Sequence, residues 1–446
     1  MKHVTKRLLL LVLIISGLRG LSQQAVEMTL KEAQDFAIKN AFSAKSATYD
    51  AQVAKMKIDA LLGTGLPQIN GSVQYNHYLN IPTQLVPAEF AGGPPGTYFP
   101  VRFGLPDNMT AGVSVNQLLF NGTWLVGVQA SKAYAELQNN NVAKSEIDIK
   151  SSIAQAYHIA IISKRNAELL EESRGLMATA LSETQALNEG GYVEIQDVEQ
   201  LQLSLNDLDV RIANAKNQAS VTLDILKFGM NMPLETELLL KDDAETLITD
   251  NSLDLINSPL NVEGNIDVKV VERTQALQVL NLKAEKSKLL PTLNAFYNLQ
   301  SQAQRNEFNF FDTSLPWYPT QLYGATLSVP IFSGLSKSKN ISIAKVEVQR
   351  ATDLLDMTKR SKQLEYNSAR AEYQYALDAY NSAKSSMGLS ERILEKTRIK
   401  YKEGLSSSFE VTQLQTQFLT TQGQYVGAIL NLLNAKIKLA KVLNQL

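Results

Sequence analysis

Few residues in this sequence are suited to catalysis or to metal binding. The 446 residues include no cysteine and three histidines, so thiolate chemistry, disulfides and cysteine-bound metals are excluded. The sequence also lacks a Gly-Lys dipeptide for a phosphate loop, a Gly-x-Ser-x-Gly nucleophile motif and histidines at metal-ligand spacing. We therefore expect no enzyme activity, no metal and no cofactor.

Two related polar segments have an acidic residue six positions after a glycine. The segments are NEGGYVEIQDVEQLQ from residue 188 and KEGLSSSFEVTQLQ from residue 402, and their glycine and acid pairs are Gly191 with Asp197 and Gly404 with Glu410. A glycine after a helix-compatible run favours a helix stop in the left-handed region of the backbone. Ser407 with Glu410 predicts a capping box that opens the next helix. Each segment is therefore predicted to be the tip of a helical hairpin.

Other motifs also occur twice, in the same order. LPQIN from residue 66 returns as LPTLN from residue 290, and FNG from residue 120 returns as FSG from residue 332. The FxG motifs are 212 residues apart and the tip glycines 213 residues apart, so the segments between them have nearly equal lengths. We predict one architecture built twice, with the two long segments side by side. The LPxxN motifs are 224 residues apart, which places an insertion in a loop of the first half.

The N-terminus has the features of a secretory signal peptide. Lys6 and Arg7 precede an apolar run from Leu8 to Ile15, and small or polar residues follow up to Ser22. The run is too short for a membrane-spanning helix, so we expect residues 1–22 to be removed. The formal net charge of −1 at pH 7 offers no basic surface, and no nucleic-acid partner is expected.

Four segments alternate apolar and polar residues with a period of two, as strands with one apolar face do. In the first of them, Ile69 and Val73 alternate with Asn70 and Ser72. Strands of about ten residues, tilted near 40°, cross an apolar band about 25 Å tall. Four strands do not close a barrel and an open edge cannot face lipid, so several chains would have to contribute. A soluble antiparallel sheet with one wet face explains the alternation equally well.

The segments 123–189 and 335–403 contain no proline and predict unusually long helices. About 67 residues of α-helix extend about 100 Å, which is comparable to the depth of a periplasm. Apolar and small residues recur at helical spacing, which is typical of close helix packing. These stripes are Ile153, Ala156, Tyr157 and Ala160, and Leu364, Ser368, Ala371 and Tyr375. A soluble helical bundle accounts for the stripes, but not for the predicted strand pairs at the helix ends.

The same patterns set the boundaries of the predicted segments. Residues 81–107 and 304–320 are rich in proline, glycine and aromatic residues, as expected of long outer loops. The segments are a signal peptide (1–22), an N-terminal helix (23–65), a first β-hairpin (66–120), a first helical hairpin with its tip at 188–197 (121–228), a mixed equatorial segment (229–264), a helix (265–289), a second β-hairpin (290–333) and a second helical hairpin with its tip at 402–410 (334–446).

In the order and spacing of these motifs the chain resembles the TolC-like outer-membrane efflux proteins. The resemblance includes MTLKEAQDFAIKNA near the start, the two LPxxN strand entries, LLFNG and PIFSG at the strand exits, and the two tips. It implies a mainly α-helical fold with β-structure, in which a coiled-coil barrel of long helices continues into a transmembrane β-barrel. In the family, a homotrimer forms that barrel from four strands per chain. It also implies a passive exit duct in the outer membrane of a Gram-negative bacterium, which reaches into the periplasm.

The resemblance assigns roles to residues of the tips. In the family, links between tip residues close the periplasmic end of the tunnel. Tyr401, Asp197 and Glu410 stand at the positions of the family's gate residues. Gln413 stands where the family has an acid, and Ser406 stands where it has an arginine. The residues expected to dock a periplasmic adaptor, which connects the duct to an inner-membrane pump, are Gly190, Gly191, Gly404, Leu405 and Ser406.

Two other functions are compatible with parts of the pattern. A periplasmic adaptor protein combines a coiled-coil hairpin with a β-domain, but it usually has one hairpin and no lipid-facing strands. A nutrient porin has many more strands and no helices of this length. Both Glu410 and Asp197 also have a purely local interpretation, because an acid in the first turn of a helix stabilises its N-terminus.

Overall fold

The computed structural model describes residues 25–249 and 252–446, so the expected signal peptide lies outside the described residues. The chain divides into two compact units. The first, which we call the helical unit, contains the chain up to Ala51 together with Gln138–Glu272 and Leu354–Leu446. The second, the sheet unit, contains Gln52–Leu137 and Arg273–Asp353.

Within residues 25–249 and 252–446, the strands form three separate sheets. Their bounds are β1 Val26–Met28, β2 Gln68–His77, β3 Thr83–Pro87, β4 Tyr98–Arg102, β5 Asp107–Asn121, β6 Leu238–Leu240, β7 Thr292–Arg305 and β8 Tyr318–Ser328. The main sheet has the order β2-β5-β7-β8, and each neighbouring pair in it is antiparallel. Strand β1 pairs parallel with β6, and β3 pairs antiparallel with β4.

The register of the main sheet gathers the alternating residues onto opposite faces. Ile69 is opposite Val115, which is opposite Tyr297, and Tyr297 is opposite Tyr323, so one apolar row crosses all four strands. The next row contains Asn70, Ser114 and Asn298. Residues directly opposite each other in a sheet share a face. The sheet therefore has a mainly apolar face and a mainly polar face, as the period of two predicts, although the row that contains Asn298 ends at Leu322 on β8.

One end of this sheet is closed by a polar cluster and an aromatic cluster. Asp107 is buried, and its Oδ1 accepts a hydrogen bond from the Tyr75 hydroxyl at 2.6 Å and lies 2.7 Å from Nδ1 of His77. The Tyr75 ring meets Phe308 and Phe310 edge-on, with ring centroids 5.2 and 5.9 Å apart. The segment that joins β7 to β8 is therefore anchored on the sheet by aromatic packing.

Long helices make up most of the remaining chain. Their bounds are α1 Leu30–Asn40, α2 Phe42–Gly63, α3 Gly122–Glu189, α4 Ile195–Gly229, α5 Ala244–Thr249, α6 Ser252–Asn257, α7 Ile266–Ser287, α8 Ser336–Lys402 and α9 Ser408–Val442. Among the helices in the described part of the chain, none combines the length and apolarity that crossing a bilayer requires.

The start of α1 has a capping box between Thr29 and Glu32. The Glu32 N–H donates to Oγ1 of Thr29 at 3.3 Å, and the Thr29 N–H donates to Oε2 of Glu32 at 2.8 Å. Together these bonds satisfy two backbone donors that the first turn would otherwise leave unpaired.

The expected single helix over residues 23–65 is wrong in detail. The short strand β1 comes first, and the helix is interrupted at Ala41, whose backbone is extended with φ −58° and ψ 140°. The break lets β1 pair with β6 and bring the N-terminal segment onto the helical unit.

The expected outer loops are also shorter than predicted. Residues 81–107 contain the β3–β4 hairpin and a 3-10 turn at Ala88–Ala91, and β5 already begins at Asp107. In the second half, β7 continues to Arg305 and β8 begins at Tyr318, so the connection is shorter than residues 304–320. At the end of β7 nearly every residue from Gln300 to Arg305 is polar, so the alternation that sequence patterns detect is lost there.

A buried core holds the helical unit together. Tyr157, Tyr373, Leu433 and Leu439 have no measurable exposure. The Tyr157 hydroxyl donates to the Met28 carbonyl at 3.0 Å and also lies 2.9 Å from Oδ2 of Asp242, so it ties β1 to the segment after β6. Burial, followed by the bond to Asp242, raises the pKa of Tyr157 well above its ordinary value, and the hydroxyl stays neutral.

One of the two predicted stripes lies in this core and the other does not. On α3, Ile153, Tyr157 and Ala160 are buried, as expected. On α8, Leu364 and Tyr375 are 70% and 75% exposed, while the side chains of that helix that lie in this core are Tyr366, Ala369, Tyr373, Ala376 and Tyr380. The stripe predicted on α8 therefore lies outside the core of the single chain, and its packing against another helix stays a prediction.

Exposed apolar side chains form rows on two helices of the helical unit. The row on α8 contains Met357, Leu364 and Tyr375, and the row on α4 contains Leu203, Val210, Val221 and Phe228. Within each row the spacing is seven or eleven residues, the periods that keep side chains on one face of supercoiled helices. These rows have the pattern of packing surfaces, although they are exposed in the single chain.

A partly buried ion network joins three long helices of the helical unit. Asp267 at the start of α7 lies 2.5 Å from Nζ of Lys144 on α3 and 2.7 Å from Nζ of Lys362 on α8. Burial alone would raise the pKa of Asp267, but the hydrogen bonds from Lys144 and Lys362 outweigh it and hold the pKa below the ordinary value of 3.8. The carboxylate is therefore charged in the folded protein at neutral pH.

Replacing Asp267 tests the contribution of this network. We expect Asp267→Asn to lower the free energy of unfolding by about 1 to 2 kcal/mol, because two partly buried ammonium groups lose their shared partner. Since the folded pKa of Asp267 is depressed, this stabilisation is present above pH 3.8 and is lost as the pH falls through the folded value. Thermal unfolding followed by circular dichroism at pH 7 and pH 3 measures both effects.

Glu263→Gln is the matched control for this measurement. The Glu263 side chain is 69% exposed and pairs with Lys359 at 2.8 Å. Exposed pairs contribute about 0 to 1 kcal/mol, so the control variant should unfold close to wild type. Equal unfolding of both variants at pH 7 would contradict the role assigned to Asp267.

Candidate gate at the hairpin tips

The first tip is a glycine-terminated helix end between α3 and α4. Gly191 has φ +74°, in the left-handed region that favours glycine. The Tyr192 N–H donates to the Leu187 carbonyl at 2.9 Å, and the Gly191 N–H donates to the Asn188 carbonyl at 2.9 Å. This pattern satisfies carbonyls of the last turn of α3 and stops the helix, as the glycine signal predicts.

The second tip, between α8 and α9, has the same geometry. Gly404 has φ +70°, and the Leu405 N–H donates to the Lys400 carbonyl at 2.8 Å. The next helix is capped by Ser407, whose Oγ accepts from the Glu410 N–H at 3.2 Å. The predicted capping box is half correct, because the Glu410 carboxylate accepts from Oγ of Ser406 at 2.6 Å instead of from the Ser407 N–H.

Tyr401 and Asp197 each make a side-chain contact that joins the tips to each other. The hydroxyl oxygens of Tyr401 on α8 and Thr184 on α3 are 3.2 Å apart. The Ser408 hydroxyl at the start of α9 donates to Oδ1 of Asp197 in the first turn of α4. Thr184 is fully buried, and Ser408 is buried. The structure therefore brings Tyr401 and Asp197 to the same contact between the hairpins.

The environment of Tyr401 keeps its hydroxyl protonated. Burial raises the pKa of Tyr401, the hydrogen bond with Thr184 acts in the opposite direction, and the nearby charge of Asp197 raises it further. A protonated phenol can donate a hydrogen bond, so Tyr401 can exchange Thr184 for another acceptor without ionising. Asp197 also accepts from the Glu194 N–H at 3.2 Å, which is the local capping role expected of an acid in the first turn.

The other predicted gate residues lie apart from this contact. Glu410 is exposed and bonds within its own turn, and Gln413 is exposed one turn further along α9. Gly190, Gly191, Gly404 and Leu405 are exposed at the ends of the two tips, while Ser406 is half-buried beside Glu410. The structure thus brings together two of the four gate candidates and leaves the docking candidates on the surface.

Three contributors to the tips were absent from the sequence-based prediction. They are Thr184 and Ser408, which are the partners of Tyr401 and Asp197, and Lys402, whose Nζ lies 2.6 Å from Oε1 of Glu183. Thr184 and Ser408 are ordinary helical residues in the sequence, and only the pairing of the hairpins gives them a role. In the described ranges, no cluster of three or more histidine or acidic residues could hold a metal ion.

Comparisons with known proteins agree with this fold. The family model for "Outer membrane efflux protein" matches residues 263–445. No curated protein sequence matches the chain significantly. The structure is similar to that of the transmembrane channel protein CusC, with a TM-score of 0.73, 15% sequence identity and coverage of 94% of this chain and 92% of that chain.

Two further solved structures are similar to the same extent. The CmeC outer membrane channel of Campylobacter jejuni has a TM-score of 0.70 and 16% identity over 93% of this chain and 85% of that chain. The outer membrane protein VceC of Vibrio cholerae has a TM-score of 0.69 and 13% identity over 93% of this chain and 95% of that chain. At such low identity, the structural likeness establishes the fold.

The fold is that of a TolC-like outer-membrane channel. The family match and the structural matches together confirm the resemblance to the outer-membrane efflux proteins that the repeated motifs indicate. Residues 263–445 match this family of outer-membrane efflux channels, and the chain has the fold of solved outer-membrane channels. Such channels are not enzymes, so the expectation of no enzyme activity is also confirmed.

The glycine at the second tip provides a test of the tip geometry. We expect Gly404→Ala to raise the hydrogen-exchange rates of the Gly404 and Leu405 amides about five- to thirtyfold, because a side chain at positive φ is strained by about 1 to 2 kcal/mol. Hydrogen exchange of the assembled protein, followed by mass spectrometry of peptides that cover residues 396–410, measures this opening.

Gly388→Ala is the matched control, because Gly388 lies inside α8 and a Cβ there would meet no atom closer than 3.8 Å. Alanine is favoured over glycine in a helix by about 0.5 to 1 kcal/mol, so this variant should not exchange faster. Unchanged exchange at the tip of Gly404→Ala would contradict the helix stop described above.

Proposed function

We propose that this protein is the outer-membrane exit duct of a tripartite efflux system or a type I secretion system. In this proposal it is a passive channel for drugs or other small molecules, gated at its periplasmic tips. The observation that carries the proposal is the pair of helical hairpins, which Tyr401 and Asp197 join at their tips. The same chain has a sheet with one mainly apolar and one mainly polar face. The family match supports the same conclusion.

A homotrimer follows from the edges of the main sheet. In the part of the chain that the structure describes, β2 and β8 each pair on one side only. An unpaired strand edge in hydrocarbon costs several kcal/mol for each backbone group. Three copies, each joining β2 of one chain to β8 of the next, would give a closed twelve-stranded barrel. Its apolar face would contact lipid and its polar face would line the pore.

The helices support the rest of the duct. An α-helix of 68 residues, the length of α3, extends about 100 Å. The exposed apolar rows on α4 and α8 would be covered by neighbouring copies in a trimer. This covering would explain why the stripe containing Leu364 and Tyr375 is apolar although it is exposed in the single chain. We propose a helical barrel that extends from the outer membrane of a Gram-negative bacterium into the periplasm.

Gating would depend on many weak contacts at the tips. In a trimer, six tips would form a ring, and Tyr401 and Asp197 would hold pairs of tips together. Contacts between partly exposed polar groups contribute about 0.5 to 1.5 kcal/mol each. Closure would therefore require several contacts at once, and a partner that binds the tips could open them at a small free-energy cost. Glu410 and Gln413, which are exposed here, would face neighbouring copies or the lumen.

A passive duct has no energy source of its own, so the proposed mechanism requires partner proteins. A passive duct needs an inner-membrane pump to drive transport and a periplasmic adaptor to connect the two. The exposed residues at the tips, Gly190, Gly191, Gly404 and Leu405 with the adjacent Ser406, would dock the adaptor. The polar face of the sheet contains small amides and hydroxyls such as Asn70, Ser72 and Asn298. Such a lining would accept varied cargo.

We expect the purified protein to have the mass of a trimer. Because the chain has no cysteine, single cysteines can be introduced without background. Val73→Cys on β2, combined in turn with cysteines at positions 319–325 on β8, should give oxidised dimer and trimer bands for at least one pair. Light scattering measures the mass independently. The pair Val73→Cys with Leu299→Cys is the control and should give no such bands, because β7 already has a neighbour on both sides. A stable monomer in light scattering would rule out the proposed barrel.

Loosening the tips should open the channel. We expect Tyr401→Phe combined with Asp197→Ala to raise single-channel conductance in planar bilayers well above wild type, because the contacts that Tyr401 and Asp197 make between the hairpins are lost in every chain. Cells that carry the variant should also become more permeable to large antibiotics. Trimer stability should change little, since neither residue lies in the sheet or in the main helical core.

The control for conductance is Tyr192→Phe combined with Glu199→Ala, two exposed residues of the first tip. This variant also changes a tyrosine to phenylalanine and an acidic residue to alanine, without removing a contact between the hairpins. If the Tyr401→Phe and Asp197→Ala variant forms an intact trimer and conducts like wild type, a gate at these residues is refuted.

A further inference from the structure

The segment that joins β7 to β8, residues 306–317, covers one end of the apolar face of the main sheet. Tyr75, Met109 and Ala303 are in register across β2, β5 and β7 at this end. They lie an even number of positions along their strands from the apolar row that crosses the sheet, so they share its face. Phe310 of the segment is buried in one cluster with Met109 and Ala303. The segment therefore folds back over the sheet instead of extending away from it.

The same segment reaches the edge strand β2 through a row of aromatic rings. The centroid of the Phe308 ring lies 5.2 Å from that of Tyr75 on β2, and the centroid of the Phe311 ring lies 6.1 Å from that of Phe308. Exposure rises along the segment's rings, from 3% at Phe310 to 57% at Phe308 and 83% at Phe311. The row thus begins in the core of the sheet unit and ends in two exposed rings beside β2. We call Phe308 and Phe311 the edge phenylalanines.

The opposite edge of the sheet has a proline near the start of β8. Pro319 is exposed and lies opposite Ser301 of β7, on the apolar face and at the same end of the sheet as the edge phenylalanines. Proline has no backbone N–H, so within sheets it is found on edge strands, where no ladder bond is lost. A strand that paired with this end of β8 would find one donor fewer than elsewhere. Side-chain packing would then have to stabilise the pairing there.

We propose that the edge phenylalanines bind a second copy of this chain, by packing over the start of its β8 at Pro319. This inference rests on the proposed trimer, in which β2 of one chain pairs with β8 of the next. The strand β2 ends, and β8 begins, at the end of the sheet that the aromatic segment covers, so these two ends meet in antiparallel pairing. A second copy fits this surface better than lipid does, because the exposed rings lie beside an edge strand. Their packing would offset the donor that Pro319 lacks.

Replacing Phe311 tests this contact with little disturbance of the fold, because its ring is mostly exposed in the single chain. We expect Phe311→Ser to raise the rate at which the detergent-solubilised trimer dissociates on heating by at least about fivefold, since an apolar ring returns to water at each of three boundaries between copies. Gel electrophoresis without boiling measures the trimer fraction over time, and light scattering measures its mass.

Phe90→Ser is the matched control for this rate. Phe90 is 84% exposed, and it lies in the connection between β2 and β5, at the same end of the sheet. The control removes the same ring from a position that does not lie beside the β2 edge in the row described above. Its trimer should dissociate at the wild-type rate.

Disulfide cross-linking locates the contact independently of stability. Within one chain, β5 and β7 separate β2 from β8, a distance of about 14 Å at the usual strand spacing. Oxidation of Phe311→Cys combined with Pro319→Cys should therefore join different copies and give dimer and trimer bands. Neither single-cysteine variant should give the trimer band, because one cysteine in each chain can link only two copies.

The alternative occupant, lipid, is tested with a fluorescent label on Phe311→Cys in proteoliposomes. Quenching of the label by brominated lipid, without cross-linked bands from the double variant, would overturn the proposal. A trimer of Phe311→Ser that dissociates as slowly as wild type would also overturn it. Both of these results leave the trimer intact, so the proposed function would stand. A monomeric wild type would instead overturn the proposed barrel and this inference together.

Discussion

The pairing of backbone N–H and C=O groups is the constraint on which the rest of this structure depends. The main sheet has four strands, and in the described residues its edges β2 and β8 each lack a second neighbour. Water can satisfy such edges, but hydrocarbon cannot. A single chain of this design therefore suits a membrane only as part of a larger assembly. The exposed apolar rows on α4 and α8 have the same implication, because water disfavours them in a single chain.

Features that depend on local sequence were predicted well. The period of two placed Ile69 and Asn70 on opposite faces of the sheet, and the register confirms the faces. Gly191 and Gly404 ended their helices at positive φ, where the sequence has a helical run followed by glycine. The capping box of Thr29 and Glu32 is likewise formed by residues three positions apart. Each of these features is set by residues within a few positions of one another, so the sequence contains the full signal.

Features that depend on tertiary packing were predicted poorly. An apolar stripe on a helix shows that a face is buried, but not what buries it, and this is why the stripe with Leu364 and Tyr375 faces away from the core of its own chain. Likewise, an acidic residue in the first turn of a helix can bond either within that turn or to a neighbouring helix. Asp197 bonds across to Ser408, whereas Glu410 bonds within its own turn. Only the relative position of the two hairpins decides between these outcomes.

The bonds between the hairpins have a consequence for the symmetry of opening. Tyr401 with Thr184 and Asp197 with Ser408 join the two tips of the same chain. While these bonds hold, the two hairpin ends of a protomer move as one body. In a proposed ring of three chains, the number of independently moving parts then falls from six to three. Such a ring would open by the outward movement of three pairs of tips, and the gaps would form between protomers. A partner would need to bind only one pair of tips in each chain.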